Sequence, residues 1–209
     1  MSRSFDIAAF WKFPVVGILR GLTLEDAELA VQAACAGGLR CIEVTMNTAG
    51  AAEQIRTLRE RVGAGVSIGA GTVRTLQDLE IAMEAEAEFI VTPIVAAEVI
   101  RACVAGRLPV FPGAFTPTEI FSAWDLGATA VKVFPAEALG PSYIAAVKAP
   151  LSDVRLMPTG GVTPETLPIY RKSGADAFGV GSPLFDKSRI AARDWTWITN
   201  QARRFVDAF

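Results

Sequence analysis

Short apolar runs of β character recur along this sequence at a nearly constant interval: Val15–Leu19, Cys41–Thr45, Val66–Ala70, Phe89–Thr92, Val110–Pro112, Ala130–Phe134, Val154–Met157 and Ala177–Val180. Their starts lie 26, 25, 23, 21, 20, 24 and 23 residues apart, the length of one strand, one helix and two loops. Helix-forming stretches fill the gaps. Thr23 is placed to cap a helix over Leu24 to Ala36, with Gly37-Gly38 behind it, and Thr48 to cap one over Ala49 to Arg61. Thr163 precedes Pro164, an N-cap followed by proline at the first helical position. Asp194 to Phe209 carries Trp195, Ile198, Ala202, Phe205 and Phe209 at helical spacing, which predicts a last helix closing the far side of the fold. Eight alternations with near-continuous apolar strands argue for an α/β protein with a parallel sheet covered by helices, and at this number for a closed (β/α)8 or TIM barrel. An open doubly wound sheet is the alternative. Glycines after the last strands, and the lack of a GxGxxG after the first, favour the barrel. With no break in composition, residues 1–209 read as a single domain. The first ~12 residues are expected to form a short lid over the barrel bottom.

Composition excludes several chemistries. The chain has no histidine, which removes a Ser-His-Asp triad, a Cys-His pair and His-rich zinc sites. Catalysis must then use carboxylate, lysine, tyrosine or backbone. Lys and Arg are scattered among Asp and Glu at a net charge of -2, giving no basic stripe for nucleic acid. No apolar run reaches the length of a membrane span and Met1 to Asp6 lacks a signal-peptide pattern, so the expectation is a cytoplasmic protein without membrane or nucleic-acid partners. Cys35, Cys41 and Cys103 are odd in number and set among apolar neighbours, and read as reduced core residues.

Within Ala130-Val131-Lys132-Val133-Phe134-Pro135 a lysine interrupts an apolar strand. Taken alone, it is either a strand-end charge that snorkels to solvent or a desolvated nucleophile. Strand side chains alternate, so Lys132 shares a face with Ala130 and Phe134, while Val131 and Val133 suit the helix layer. That phase turns Lys132 into the barrel and favours the nucleophile. The same phase turns Cys41, Glu43 and Thr45 inward. Strands two and six of an eight-strand ring face each other, so Glu43 and Lys132 could meet across the axis. A buried ion pair is a poor stability device, which favours a catalytic pair over a structural one. Arg20 ends the first strand in the phase of Val16 and Ile18, and Thr72 ends the third in the phase of Ile68 and Ala70; both are expected at the mouth, where an arginine can bind a carboxylate in two-pronged fashion. Pro158-Thr159-Gly160-Gly161 and Gly179-Val180-Gly181-Ser182 follow strands seven and eight, the usual phosphate position in such barrels. The substrate inferred from these residues carries carboxylate at one end and phosphate at the other.

Together, Glu43-Val44-Thr45, Gly69-Ala70-Gly71-Thr72, Lys132-Val133-Phe134-Pro135-Ala136 and Thr159-Gly160-Gly161-Val162 resemble the 2-keto-3-deoxy-6-phosphogluconate/2-keto-3-deoxy-6-phosphogalactonate aldolases along nearly the whole chain. The resemblance implies a (β/α)8 barrel, a homotrimer, and class I Schiff-base chemistry with neither metal nor cofactor. It implies Lys132 as the Schiff-base lysine and Glu43 as the proton shuttle, with Thr72 and Arg20 on the pyruvyl carboxylate. Gly160, Gly161, Gly181 and Ser182 would hold phosphate, beside Thr159, and Pro93 and Phe134 would shape the walls. One departure is Asn47, where the phosphogluconate enzymes typically carry arginine. Asn47, Ile18 to Thr23 and Phe134 to Pro141 are more similar to the phosphogalactonate branch. The implied reaction is cleavage of 2-keto-3-deoxy-6-phosphogalactonate to pyruvate and D-glyceraldehyde 3-phosphate, with the phosphogluconate epimer or 4-hydroxy-2-oxoglutarate as the alternative substrate. Two rivals rest on the residues alone: a phosphosugar isomerase or epimerase with no covalent intermediate, and a non-catalytic phosphometabolite-binding protein.

Overall fold

The computed structural model describes residues 4–209; Met1–Arg3, part of the expected lid, lie outside them. Strands form at β1 (Val15–Leu19), β2 (Cys41–Thr45), β3 (Ser67–Gly71), β4 (Ile90–Val91), β5 (Val110–Phe111), β6 (Gly113–Ala114), β7 (Val131–Val133), β8 (Leu156–Pro158) and β9 (Phe178–Val180). Every pairing is parallel. The ladders run as a six-stranded sheet in the order β5-β4-β3-β2-β1-β9 and a three-stranded sheet β6-β7-β8. A single bridge, Thr159 to Gly179, links the far edge of the smaller sheet to β9. The sheet is thus parallel and α/β as expected, but the continuous eight-strand ladder predicted from the spacing is replaced by two sheets. The cause is local: the fifth apolar run contains Pro112, which has no N–H to give, so the run divides into β5, paired with β4, and β6, paired with β7.

Side chains sort into two layers. Ile42 and Val44 of β2, Ile68 and Ala70 of β3, and Val131 and Val133 of β7 are buried against the helices. Val16, Cys41, Phe89, Val91, Phe111, Ala130, Met157 and Ala177 form a separate inner cluster. Each large apolar side chain so buried contributes roughly 1.5–3 kcal/mol. At the end where the strands begin, the inner layer is closed by rings. Phe5 and Phe10, flanking and ending the short helix Ile7–Phe10, meet Phe89 and Phe111 with centroids 5.3 Å (Phe5–Phe89), 5.4 Å (Phe10–Phe111) and 5.9 Å (Phe89–Phe111) apart. Gly69 makes room for this floor, because a Cβ there would fall 2.6 Å from the Phe89 ring. The expected lid is therefore present from residue 4 onward.

The helix over Leu24–Ala36 starts as read from the sequence, with Thr23 Oγ1 accepting from the Asp26 N–H at 3.2 Å. The next helix departs from expectation. It covers Ala51–Arg61, begins after Gly50 at φ +71° and has no side-chain cap, because Thr48 is turned toward the loop after β1 instead. Thr163 does accept from the Thr166 N–H, at 3.2 Å, but the regular helix starts later, at Leu167. The last helix, Trp195–Ala208, is capped by Asp194 and packs on Leu24–Ala36, where Thr199 Oγ1 donates to the Ala33 carbonyl at 3.0 Å. A side chain at Gly37 would come 2.5 Å from Ala202 Cβ, so the close approach of these helices requires glycine there. The three cysteines are unpaired, and burial pushes the thiols of Cys35 and Cys103 up to about 11 and about 12, as inert packing residues require. Among the described residues, no helix is long and apolar enough to cross a membrane.

Candidate active site

Lys132 occupies the middle of β7, and its neighbours Val131 and Val133 are fixed in the outer layer, which commits its side chain to the interior. It is 5% exposed. Glu43, in the middle of β2 between outward Ile42 and Val44, is 1% exposed. Burial pushes the lysine pKa down, against the pull of the Glu43 charge and with help from Arg20. Burial pushes the Glu43 carboxyl up, opposed by Lys132 and Arg20. Each partner is thus moved toward its neutral form, with the other's charge limiting the shift. Glu43 Oε2 is buried with no hydrogen-bond partner among the described residues, a costly state for a carboxylate unless a ligand donor meets it. Gly71 of β3 lends the space for that carboxylate: a Cβ there would lie 2.5 Å from Glu43 Cδ.

Lys132 opens into a cavity of about 320 Å³. Its walls near the lysine include Ile18, Arg20 and Phe134; the Lys132 Nζ lies 5.1 Å from the centre of the Phe134 ring. Thr159, Gly160, Gly161, Gly181 and Ser182 line the same cavity. Gly160 and Gly161 take φ of +98° and +72°, values side chains rarely adopt, and the amides of Gly160, Gly161 and Ser182 donate to no backbone carbonyl among the described residues. Free amides beside glycine are what an anion needs. Arg20 sits one residue past the end of β1, exposed at the rim, and its charge is felt by both Lys132 and Glu43. The arrangement offers a buried amine and a buried carboxylate, each pushed toward its neutral form, with a guanidinium and an amide cradle lining the cavity into which the amine opens.

Three expected residues lie outside the cavity wall: Glu43, Thr72 and Pro93. Glu43 is linked to Lys132 by the charge coupling described above. The phase assigned to Thr72 needs correction, since Ile68 and Ala70 face the helices and the inward positions of β3 are Gly69 and Gly71. Glycines hide their direction in a sequence, so the apolar residues of this run point to the wrong face. Thr72 breaks the alternation by adopting φ +57°, a strained conformation for a β-branched residue directly after the glycine that abuts Glu43. Pro93 packs beside Gly113, the register partner of Lys132, where a Cβ would come 2.5 Å from its backbone. Lys187 and Glu137 also line the cavity and were not singled out from sequence. Lys187 opens a five-residue helix capped by Asp186, and that Asp-Lys-Ser pattern after Gly181-Ser182 was the available signal.

Comparison with known proteins agrees with the geometry. Residues 7–201 match the family described as KDPG and KHG aldolase. The 2-dehydro-3-deoxy-6-phosphogalactonate aldolase of Escherichia coli (strain K12) is 37% identical over 199 residues, 95% of each chain. A solved structure described as native KDPGal aligns at a TM-score of 0.87 with 35% identity, covering 99% of this chain and 97% of that one. A cube-shaped cage designed by fusing symmetric oligomeric domains aligns at 0.86 with 36% identity, over 94% of this chain and 72% of that one. A parallel α/β scaffold, a buried lysine coupled by charge to a buried carboxylate, and these matches along almost the full length give one conclusion: the chain belongs to the KDPG and KHG aldolase family.

Proposed function

We propose that this chain is a class I aldolase that cleaves 2-keto-3-deoxy-6-phosphogalactonate to pyruvate and D-glyceraldehyde 3-phosphate. The observation that carries the reading is the buried, electrostatically coupled Lys132–Glu43 pair, whose lysine opens into a cavity also lined by an amide cradle. Arg20 and Thr72 hold the substrate carboxylate, and the Gly160-Gly161 and Gly181-Ser182 turns hold the phosphate, with Thr159, Phe134 and Pro93 shaping the space between. The neutral Lys132 amine attacks the C2 carbonyl. Glu43 delivers a proton to the departing hydroxyl, water leaves, and a protonated imine remains as the electron sink. The Glu43 carboxylate then takes the C4 hydroxyl proton as the C3–C4 bond breaks and the electron pair flows into an enamine. Glyceraldehyde 3-phosphate departs, Glu43 passes the proton it has gained to C3 of the enamine, and water releases pyruvate from Lys132. The chemistry calls for no metal or cofactor.

Asn47 and the phosphogalactonate aldolase from E. coli support the galactonate epimer. The phosphogluconate epimer and 4-hydroxy-2-oxoglutarate are the alternative substrates, and rates measured side by side on all three decide among them. The proposed assembly is a homotrimer of single-domain subunits, which the likeness to a domain used in a symmetric cage supports; light scattering tests it. A single eight-strand ring within each subunit is supported by the lone Pro112 between β5 and β6 and by hydrogen bonds from the amides of Thr129 and Lys132 to the carbonyls of Val110 and Pro112. A phosphorylated sugar acid as substrate and three unpaired thiols fit action in the cytoplasm.

Borohydride reduction with pyruvate, followed by peptide mass mapping, tests the chemistry. The expected result is a three-carbon adduct on Lys132. Turnover of a phosphosugar without any adduct would point to an isomerase or epimerase, and binding without turnover to a phosphometabolite-binding protein.

A further inference from the structure

The ladder between β1 and β2 ends at the pair Leu19–Val44, so Arg20 is the first residue that the sheet no longer holds. What holds the chain next is a side chain. The Gly21 N–H donates to Thr48 Oγ1 at 2.9 Å, across a separation of 27 residues, and Thr48 Oγ1 lies 3.1 Å from Thr45 Oγ1. Thr45 is fully buried and Thr48 is 6% exposed. The carbonyl of the following residue, Leu22, accepts from Gln54 Nε2 at 2.9 Å. Gly21 takes φ +69°, so the chain turns sharply at the point where Thr48 grips it. Thr45 is two residues from Glu43 on the same face of β2, and the hydroxyl pair therefore ties the strand that carries Glu43 to the backbone immediately behind Arg20.

We infer that Thr48, backed by Thr45, is a positioning residue for Arg20: its hydroxyl continues the β1–β2 connection one step beyond the sheet and sets the direction from which the guanidinium approaches the substrate carboxylate. The inference rests on the assignment of Arg20 as the carboxylate ligand made above. It assigns no chemistry to Thr48, whose hydroxyl meets, among the described residues, the Gly21 N–H and the Thr45 hydroxyl. A buried hydroxyl placed this way matters through Arg20, because a misplaced two-pronged donor loses its geometric advantage.

The test uses borohydride trapping of pyruvate on Lys132 as a function of pyruvate concentration. Thr48→Val should raise the pyruvate concentration for half-maximal trapping by about fivefold to tenfold, the loss expected for one hydrogen bond, with a smaller change in the saturating rate. Thr48→Ser should restore the wild-type value. On an Arg20→Ala background, Thr48→Val should add nothing, since the residue acts through the guanidinium. Should Thr48→Val fail to fold, Thr48→Ala removes the same acceptor without burying an extra methyl. An unchanged half-saturation in a folded variant, or an equal effect with and without Arg20, would overturn the inference. Wild-type trapping that is insensitive to Arg20→Ala would remove its basis, whereas no wild-type trapping at all would count against the aldolase reading itself.

Discussion

The carboxylate of Glu43 lies where a side chain on Gly71 would have to go, with only 2.5 Å between Glu43 Cδ and the position of a Cβ on that glycine. Adding one methyl must therefore displace the carboxylate or the strand that faces it. Gly71→Ala is expected to cost about 100-fold in kcat, the scale of an ångström-sized misplacement of a catalytic group. Glu43→Gln removes the proton shuttle proposed above and should cost about 100- to 10,000-fold. Steady-state cleavage rates check both, and near-full activity in either variant would contradict the role given to Glu43.

Burial lowers the Lys132 pKa below its ordinary 10.5, so the amine loses its proton in the folded chain at a pH where the unfolded chain still holds it. Trapping of pyruvate should therefore rise with pH and level off before 10.5; a curve that climbs through 10.5 would indicate an unshifted lysine. Across that window the unfolded chain binds more protons, and the Lys132 contribution to stability grows as pH rises. Glu43 behaves in the opposite sense. Its folded pKa is raised above 4.5, so its contribution is fully present below 4.5 and is lost as pH rises through the raised value. Urea midpoints of Glu43→Gln should lack that decline.

Thr72 at φ +57° stores backbone strain that glycine would not feel. Thr72→Gly is expected to stabilise the fold by about 1 kcal/mol while weakening pyruvate binding through loss of the hydroxyl. Thr72→Ser should keep the binding. Urea unfolding read beside the half-saturation for pyruvate separates the two effects, and a destabilised, tight-binding glycine variant would refute them together.

Gly161 combines φ +72° with a Cβ position 2.7 Å from Glu137 Cβ. Gly161→Ala should distort the amide cradle and raise KM for the phosphorylated substrate by about tenfold. Pyruvate carries no phosphate, so its trapping on Lys132 should be unaffected. Equal losses for both ligands would place Gly161 outside the phosphate end.

Where apolar residues spell out direction, the sequence was readable. Val131 and Val133 around Lys132, and Ile42 and Val44 around Glu43, face the helices, and the charged residue between each pair must then face the interior. The runs at β1 and β2 match the strands residue for residue. Where direction is carried by glycine, it was not: Gly69 and Gly71 are the inward residues of β3 because Phe89 and Glu43 fill the space they leave. The split of the fifth run follows from Pro112, whose missing N–H was visible but whose effect depends on which neighbours pair with either side. Thr48 resembles a helix cap locally, and only the 27-residue contact with Gly21 reveals its other task. Lys187 opens a five-residue helix and Glu137 lies in a single 3-10 turn after β7, elements too short for any periodicity to reveal.

The floor of Phe5, Phe10, Phe89 and Phe111 also governs traffic. With that end filled by rings, the proposed reaction would bring reactant, water and both products through the cavity lined by Arg20 and the glycine turns. In the proposed Schiff-base cycle the aldehyde fragment would vacate the passage before water reached the carbon tethered to Lys132, and pyruvate would come out last. An occupant lodged in the cavity at that moment would halt the cycle halfway, with three carbons stranded on the enzyme.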